Sequence, residues 1–228
     1  MTEKRAWTYD GTELAWLKGR LGRLGRREPG PGHVVSELVP DGYEAYVRIF
    51  HRFEATDGSG RSRSWQARAA DSAVPFHPEL SHWWLRDEAP DSSGRSLWQA
   101  PDGALDDSSR SALTRVLAGT CGDRPVCFAY DLAALLWGQD GPLVRCAPLT
   151  GLESVREELK EAVGESGPEF WWPQDHSWVV TSDHDLLSTY VGCSAETAGL
   201  LLRDDALETL LVTPHTRVDR ETVRPQDQ

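Results

Sequence analysis

The sequence predicts an α+β fold: a mainly antiparallel sheet with about three helices packed on it, in a single domain with a basic N-terminal extension. Three observations carry this. Tyr43 to His51 alternates with the period of two expected of a strand and is dominated by β-branched and aromatic residues. Further short apolar runs lie at 125–130, 143–149, 177–181 and 188–192, the first two joined by the turn Gly138-Gln-Asp-Gly141, so that a hairpin is the economical connection. Apolar residues return at helical spacing over 109–118, 152–163 and 195–203.

In chain order, residues 1–34 are set apart by charge. Seven Lys and Arg face four Asp and Glu there, which is +3, so a chain of net charge −12 leaves −15 on the remainder. Leu14, Leu17, Leu21 and Leu24 recur at helical spacing, but Gly19, Gly22 and Gly25 each weaken a helix by about 1 kcal/mol. A partly helical or disordered appendage, docked on its own acidic body, is the expectation. Glu28-Pro-Gly-Pro-Gly32 punctuates it like a linker before a single α+β domain over 35–214.

After the Tyr43 strand, Asp57 to Ser64 forms a turn and Trp65 to Ala70 is read as a weak returning strand. Asp87 to Ser109 reads as a long acidic loop, with Ser108 or Ser109 capping the next helix and Gly119 ending it. Leu152, Val155, Leu159 and Val163 give an amphipathic helix, and Ser194 caps the last one. Leu207 to Val212 closes the domain as a short helix or strand, and 215–228 is a polar, frayed tail.

The densest chemistry lies in 170–185. Trp171, Trp172 and Trp178 stand beside Asp175, His176, Asp183, His184 and Asp185. Tyr43-Glu-Ala-Tyr-Val-Arg-Ile-Phe-His51, Trp171-Trp-Pro-x-Asp-x-Ser-Trp178 and Ser188-Thr-Tyr-Val-Gly-Cys-Ser194 together resemble a group of actinobacterial cytosolic proteins to which no activity attaches. A basic complement that is almost all arginine, with Lys only at 4, 18 and 160, agrees with a GC-rich genome of that kind. The resemblance covers about residues 40–214 and implies one intact domain, without implying a reaction or ligand.

Composition narrows the function. The net charge of −12 disfavours nucleic acid and acidic membrane surfaces as partners. No apolar run reaches the roughly 18–20 residues that cross a bilayer, and the N-terminus lacks a secretory apolar core, so a cytoplasmic protein is expected. Cys121, Cys127, Cys146 and Cys193 lack metal spacing and read as core thiols of a reducing compartment, with Cys193, near a helix N-terminus, the best case for a reactive one. Phosphate loops, dinucleotide fingerprints and nucleophile elbows are missing, and no cofactor is expected.

Two functions compete for the 170–185 stretch. Adjacent Trp171 and Trp172 project to opposite sides of an extended segment, so one of them stays partly exposed and, with Trp178, Asp175, His176, Asp183, His184, Asp185 and Tyr190, forms a recognition surface for another protein. The alternative is a metal-dependent hydrolase using the Asp/His cluster at 175–185, since carboxylates and imidazoles suit zinc, manganese or iron. Against the second stands the turn-forming habit of Asp and its neighbours, whose side chains satisfy local N–H groups. The expectation is therefore a non-enzymatic protein-binding module.

Overall fold

The computed structural model describes residues 12–21, 33–86 and 96–218. Its centre is a seven-stranded antiparallel sheet formed by β1 (Ala45–Phe50), β5 (Pro125–Tyr130), β6 (Leu143–Pro148), β7 (Phe170–Pro173), β8 (Val179–Ser182), β9 (Ser188–Cys193) and β10 (Thr209–Val212). The strand order is β10-β1-β9-β8-β7-β5-β6. A second, three-stranded sheet joins β2 (Phe53–Ala55), β3 (Ser62–Arg63) and β4 (Trp98–Gln99) in the order β3-β2-β4. The α+β class and the β5–β6 hairpin follow the expectation, with Cys127 opposite Cys146 in register.

Both faces of the large sheet are covered. One packs against α3 (Asp107–Cys121), α5 (Leu152–Val163) and α6 (Ala195–Leu202), burying Val47, Ile49, Phe128, Trp171 and Val191 among the helix residues Leu113, Leu117, Leu159 and Leu201. The other carries two clusters. In one, α1 (Thr12–Lys18) sets Leu14 and Leu17, both fully buried, over Cys127, Phe170 and Trp172. In the other, α2 (Trp65–Asp71) and the small sheet pack Trp65, Phe53 and Trp98 against Phe50.

Several expectations are corrected. Trp65 to Ala70 is helix: Ser64 caps it, accepting from Ala67 N–H at 3.1 Å, and the Glu208 carboxylate takes the Trp65 and Gln66 N–H groups at 2.7 Å each. Two caps and an alanine-rich run outweigh the strand-like tryptophan. The cap of α3 is Asp106, accepting from Ser109 N–H at 2.9 Å, and the helix passes Gly119 to end at Gly122, whose φ of +58° favours glycine. Part of the supposed long loop is the strand β4, which completes the small sheet; residues 87–95 lie outside the described residues. The start of the tail is tied down, because Arg217 bridges to Val34. Of the N-terminal extension, α1 is docked, while residues 1–11 and 22–32 lie outside the described residues.

The cysteines divide. Cys127 and Cys146 form a disulfide across β5 and β6, with Cα atoms 3.9 Å apart, which corrects the reading of all four as thiols. Direct opposition in an antiparallel register brings the two side chains together, a relationship that spacing along the chain does not display. Cys121 and Cys193 are buried thiols as expected. Burial pushes the Cys193 thiol up to about 12, so it is not the reactive group its helix-proximal position suggested. Among the described residues no helix is long and apolar enough to cross a membrane.

Candidate functional site

The tryptophans of the 170–185 stretch do not form a surface. Trp171, Trp172 and Trp178 retain 3%, 2% and 1% of their exposure. Trp171 and Trp172 do project to opposite faces of β7, but each face is roofed, the first by the α3/α5/α6 layer and the second by α1. The sequence reading assumed one solvated face, and the covering helix belongs to the segment it had set aside as an appendage.

Nor do the acids and histidines converge. Asp175 and His176 occupy the β7–β8 turn, whereas Asp183, His184 and Asp185 occupy the β8–β9 turn. Consecutive hairpin turns fall at opposite ends of the shared strand, here four residues or roughly 13 Å. Asp175 accepts from Ser177 N–H at 3.1 Å and is ion-paired with Arg124; Asp183 accepts from Asp185 N–H at 2.9 Å. Both aspartates thus build their own turns. His176, at φ +54°, stacks on Trp16. Among the described residues no group of three or more His, Cys, Asp or Glu side chains is gathered in a metal-holding arrangement.

Two features the sequence reading passed over stand out. The first is α4 (Leu132–Leu136), which follows β5 directly. Ala133 and Ala134 face the core, while Leu132, Leu135, Leu136 and the following Trp137 are 43%, 53%, 62% and 57% exposed. This short helix is held from below. The buried Glu169 carboxylate accepts the Asp131, Leu132 and Ala133 N–H groups, the last two at 2.9 and 2.8 Å, and Lys18 pairs with Asp131 at 2.8 Å. Burial raises the Glu169 pKa even though these three donors oppose it. Gly164, at φ +64°, lets the Trp137 ring lie against its backbone where a Cβ would collide. The rim is acidic, since the neighbouring α5 carries Glu153, Glu157, Glu158 and Glu161 against Arg156 and Lys160. The run Asp131-Leu-Ala-Ala-Leu-Leu-Trp-Gly138 was the available signal.

The second feature is a cavity of about 40 Å³ where the two clusters on the α1 face of the sheet meet, bordered by Arg48, Trp65, Glu79, His82, Ser188 and Tyr190. It gathers Tyr190 and, on its border, Asp185 from the predicted site, and leaves out the tryptophans of that site. Arg48 is 7% exposed. Its Nε donates to Ser188 Oγ at 2.9 Å and its Nη1 to Pro78 O at 2.7 Å, and its guanidinium lies over Phe50, 4.1 Å from the ring centroid. The signal in the sequence was an arginine in the inward phase of an alternating strand, between Tyr46 and Phe50.

His51 joins neither turn. It is fully buried, with Nδ1 2.8 Å from Pro101 O and Nε2 2.9 Å from Thr189 Oγ1, and burial holds its pKa down at about 4. Compared with protein-family models, with curated proteins and with solved structures, the chain matches none.

Proposed function

We propose that the protein is a non-enzymatic binding module whose contact surface is the α4 ridge, and that its partner is a protein offering a basic amphipathic helix. The carrying observation is the joint exposure of Leu132, Leu135 and Leu136 on one fixed five-residue helix and of Trp137 at its C-cap. Isolated apolar residues on a surface need no explanation, whereas four in one short stretch suit an interface core, with Trp137 as its aromatic anchor. The glutamates of α5 and the net charge of −12 select a cationic rim on the partner. This retains the protein-binding expectation and moves it away from Trp171, Trp172 and Trp178.

A synthetic Leu/Lys amphipathic helical peptide tests the reading, titrated against the wild type and against Leu136→Asp. Saturable binding with a blue shift of tryptophan emission, weakened by salt and lost in Leu136→Asp at unchanged circular dichroism, supports it. Equal binding to both proteins, or none to the wild type, overturns it.

The proposal places the protein in the cytoplasm, supported by the free, buried thiols Cys121 and Cys193. The Cys127–Cys146 bond argues the other way, because disulfides persist in oxidising compartments. Alkylation of the pair in freshly quenched cells decides between them.

A further inference from the structure

We infer that the Arg48 cavity is a receptor for a single carboxylate group. A guanidinium removed from water costs several kcal/mol unless an anion and hydrogen bonds replace the solvent. Arg48 is only 7% exposed, in a chain with 36 acidic residues, yet among the described residues it forms no ion pair with a carboxylate. Glu79 borders the cavity and acts on Arg48 through space, but its Oε1 is engaged by the Arg217 N–H at 3.1 Å.

Arg48 is also fixed in position. Its Nε and Nη1 are held by Ser188 and Pro78, and Phe50 and Trp65 lie against the guanidinium at 4.1 and 5.6 Å from their centroids. Among the described residues its Nη2 has no hydrogen-bond acceptor, and neither does the hydroxyl of Tyr190, which faces Arg48 directly across β1 and β9. Burial raises the Tyr190 pKa, keeping that hydroxyl a donor. Ser188 Oγ accepts from Arg48 and so has its own proton to give. The open Nη2 of a guanidinium fixed by its other bonds, with two hydroxyl donors beside it, matches a planar carboxylate.

Size and charge restrict the ligand further. A cavity of about 40 Å³ admits a carboxylate head and little more, and Glu79 and Asp185 on its border repel a doubly charged phosphate more strongly than a singly charged carboxylate. The carboxylate belongs either to a free small acid or to the end of a peptide.

The test follows the Arg48 Nε–H resonance by NMR at constant ionic strength, with acetate, with Gly-Gly-Gly, and with Gly-Gly-Gly amide as probes. A saturable shift with acetate, weakened about tenfold in Tyr190→Phe by loss of one charge-assisted hydrogen bond, is expected. Arg48→Lys, which keeps the charge but loses the fixed planar donor and with it the Nε–H signal, should abolish the saturable acetate response of the Ser188 and Tyr190 backbone amide resonances, which are followed in wild type and variant alike. Saturation by acetate alone assigns a free acid; saturation by the free tripeptide with none by its amide assigns a peptide terminus. Should neither acetate nor the tripeptide saturate the shift, or should Tyr190→Phe bind as the wild type does, the inference falls. Tyr190→Phe removes one oxygen, so this outcome is readable even if Arg48→Lys fails to fold.

Discussion

Trp16 lies flat on the imidazole of His176, with ring centroids 3.8 Å apart and planes 11° from parallel, while its edge meets Trp172 at 5.8 Å. This contact ties the N-terminal helix to the turn between β7 and β8. Trp16→Ala should cost about 2–4 kcal/mol through lost packing and a cavity, and should expose Trp172. Denaturation with urea checks the first effect and acrylamide quenching of tryptophan fluorescence the second.

His51 makes the fold acid-sensitive. Its folded pKa of about 4 lies below the unfolded value near 6.5, so between those two the unfolded chain binds more protons. The stability held by the neutral ring is complete above about pH 6.5 and is lost as pH falls toward 4, by up to ~3 kcal/mol. His51→Gln should be less stable at pH 7 but flatter across this window, as urea midpoints at pH 4.5, 5.5 and 7 would show.

The Cys127–Cys146 bond closes a loop with a sequence separation of 19, for which chain entropy gives about 3 kcal/mol. Cys146→Ser, or reduction of the wild type, should lower the unfolding free energy by roughly 2–4 kcal/mol. Chemical denaturation with and without reductant measures it, and the variant should be indifferent to reductant.

Glu169 is the anchor of α4. Glu169→Ala leaves the N–H groups of Asp131, Leu132 and Ala133 without their acceptor and should destabilise the protein by about 1–3 kcal/mol. Amide exchange should accelerate across 131–136 well before it does in β5. Uniform acceleration over the whole chain would show that α4 does not move independently.

What the sequence disclosed depended on whether the determining contact was local. Strands β1, β5 and β9 and helices α5 and α6 were readable because alternation, helical spacing and the Ser194 cap lie within each segment. The helix at Trp65 was not, because half of its capping comes from Glu208, some 143 positions away. Trp171 and Trp172 were correctly assigned to opposite faces, yet the burial of Trp172 is set by α1, far upstream, and that of Trp171 by the α3/α5/α6 layer. The Asp183 turn was legible as a turn for the reason weighed against a metal site, an Asx bond in which Asp185 N–H donates to its carboxylate. Arg48 and α4 went unremarked because exposure and ion pairing belong to the assembled molecule.

The bonds around His51 also have a direction. Pro101 O can only accept, so Nδ1 carries the proton; Nε2 must then accept from Thr189, whose oxygen accepts in turn from the Ser182 hydroxyl. The four groups form a one-way relay with every hydroxyl rotor locked. A second proton on the ring turns Nε2 into a donor facing a donor, and the clash is relieved only if the Thr189 hydroxyl turns its own proton away. Acid therefore acts as a mechanical wedge between β9 and the loop at Pro101, prising open the seam that His51 closes.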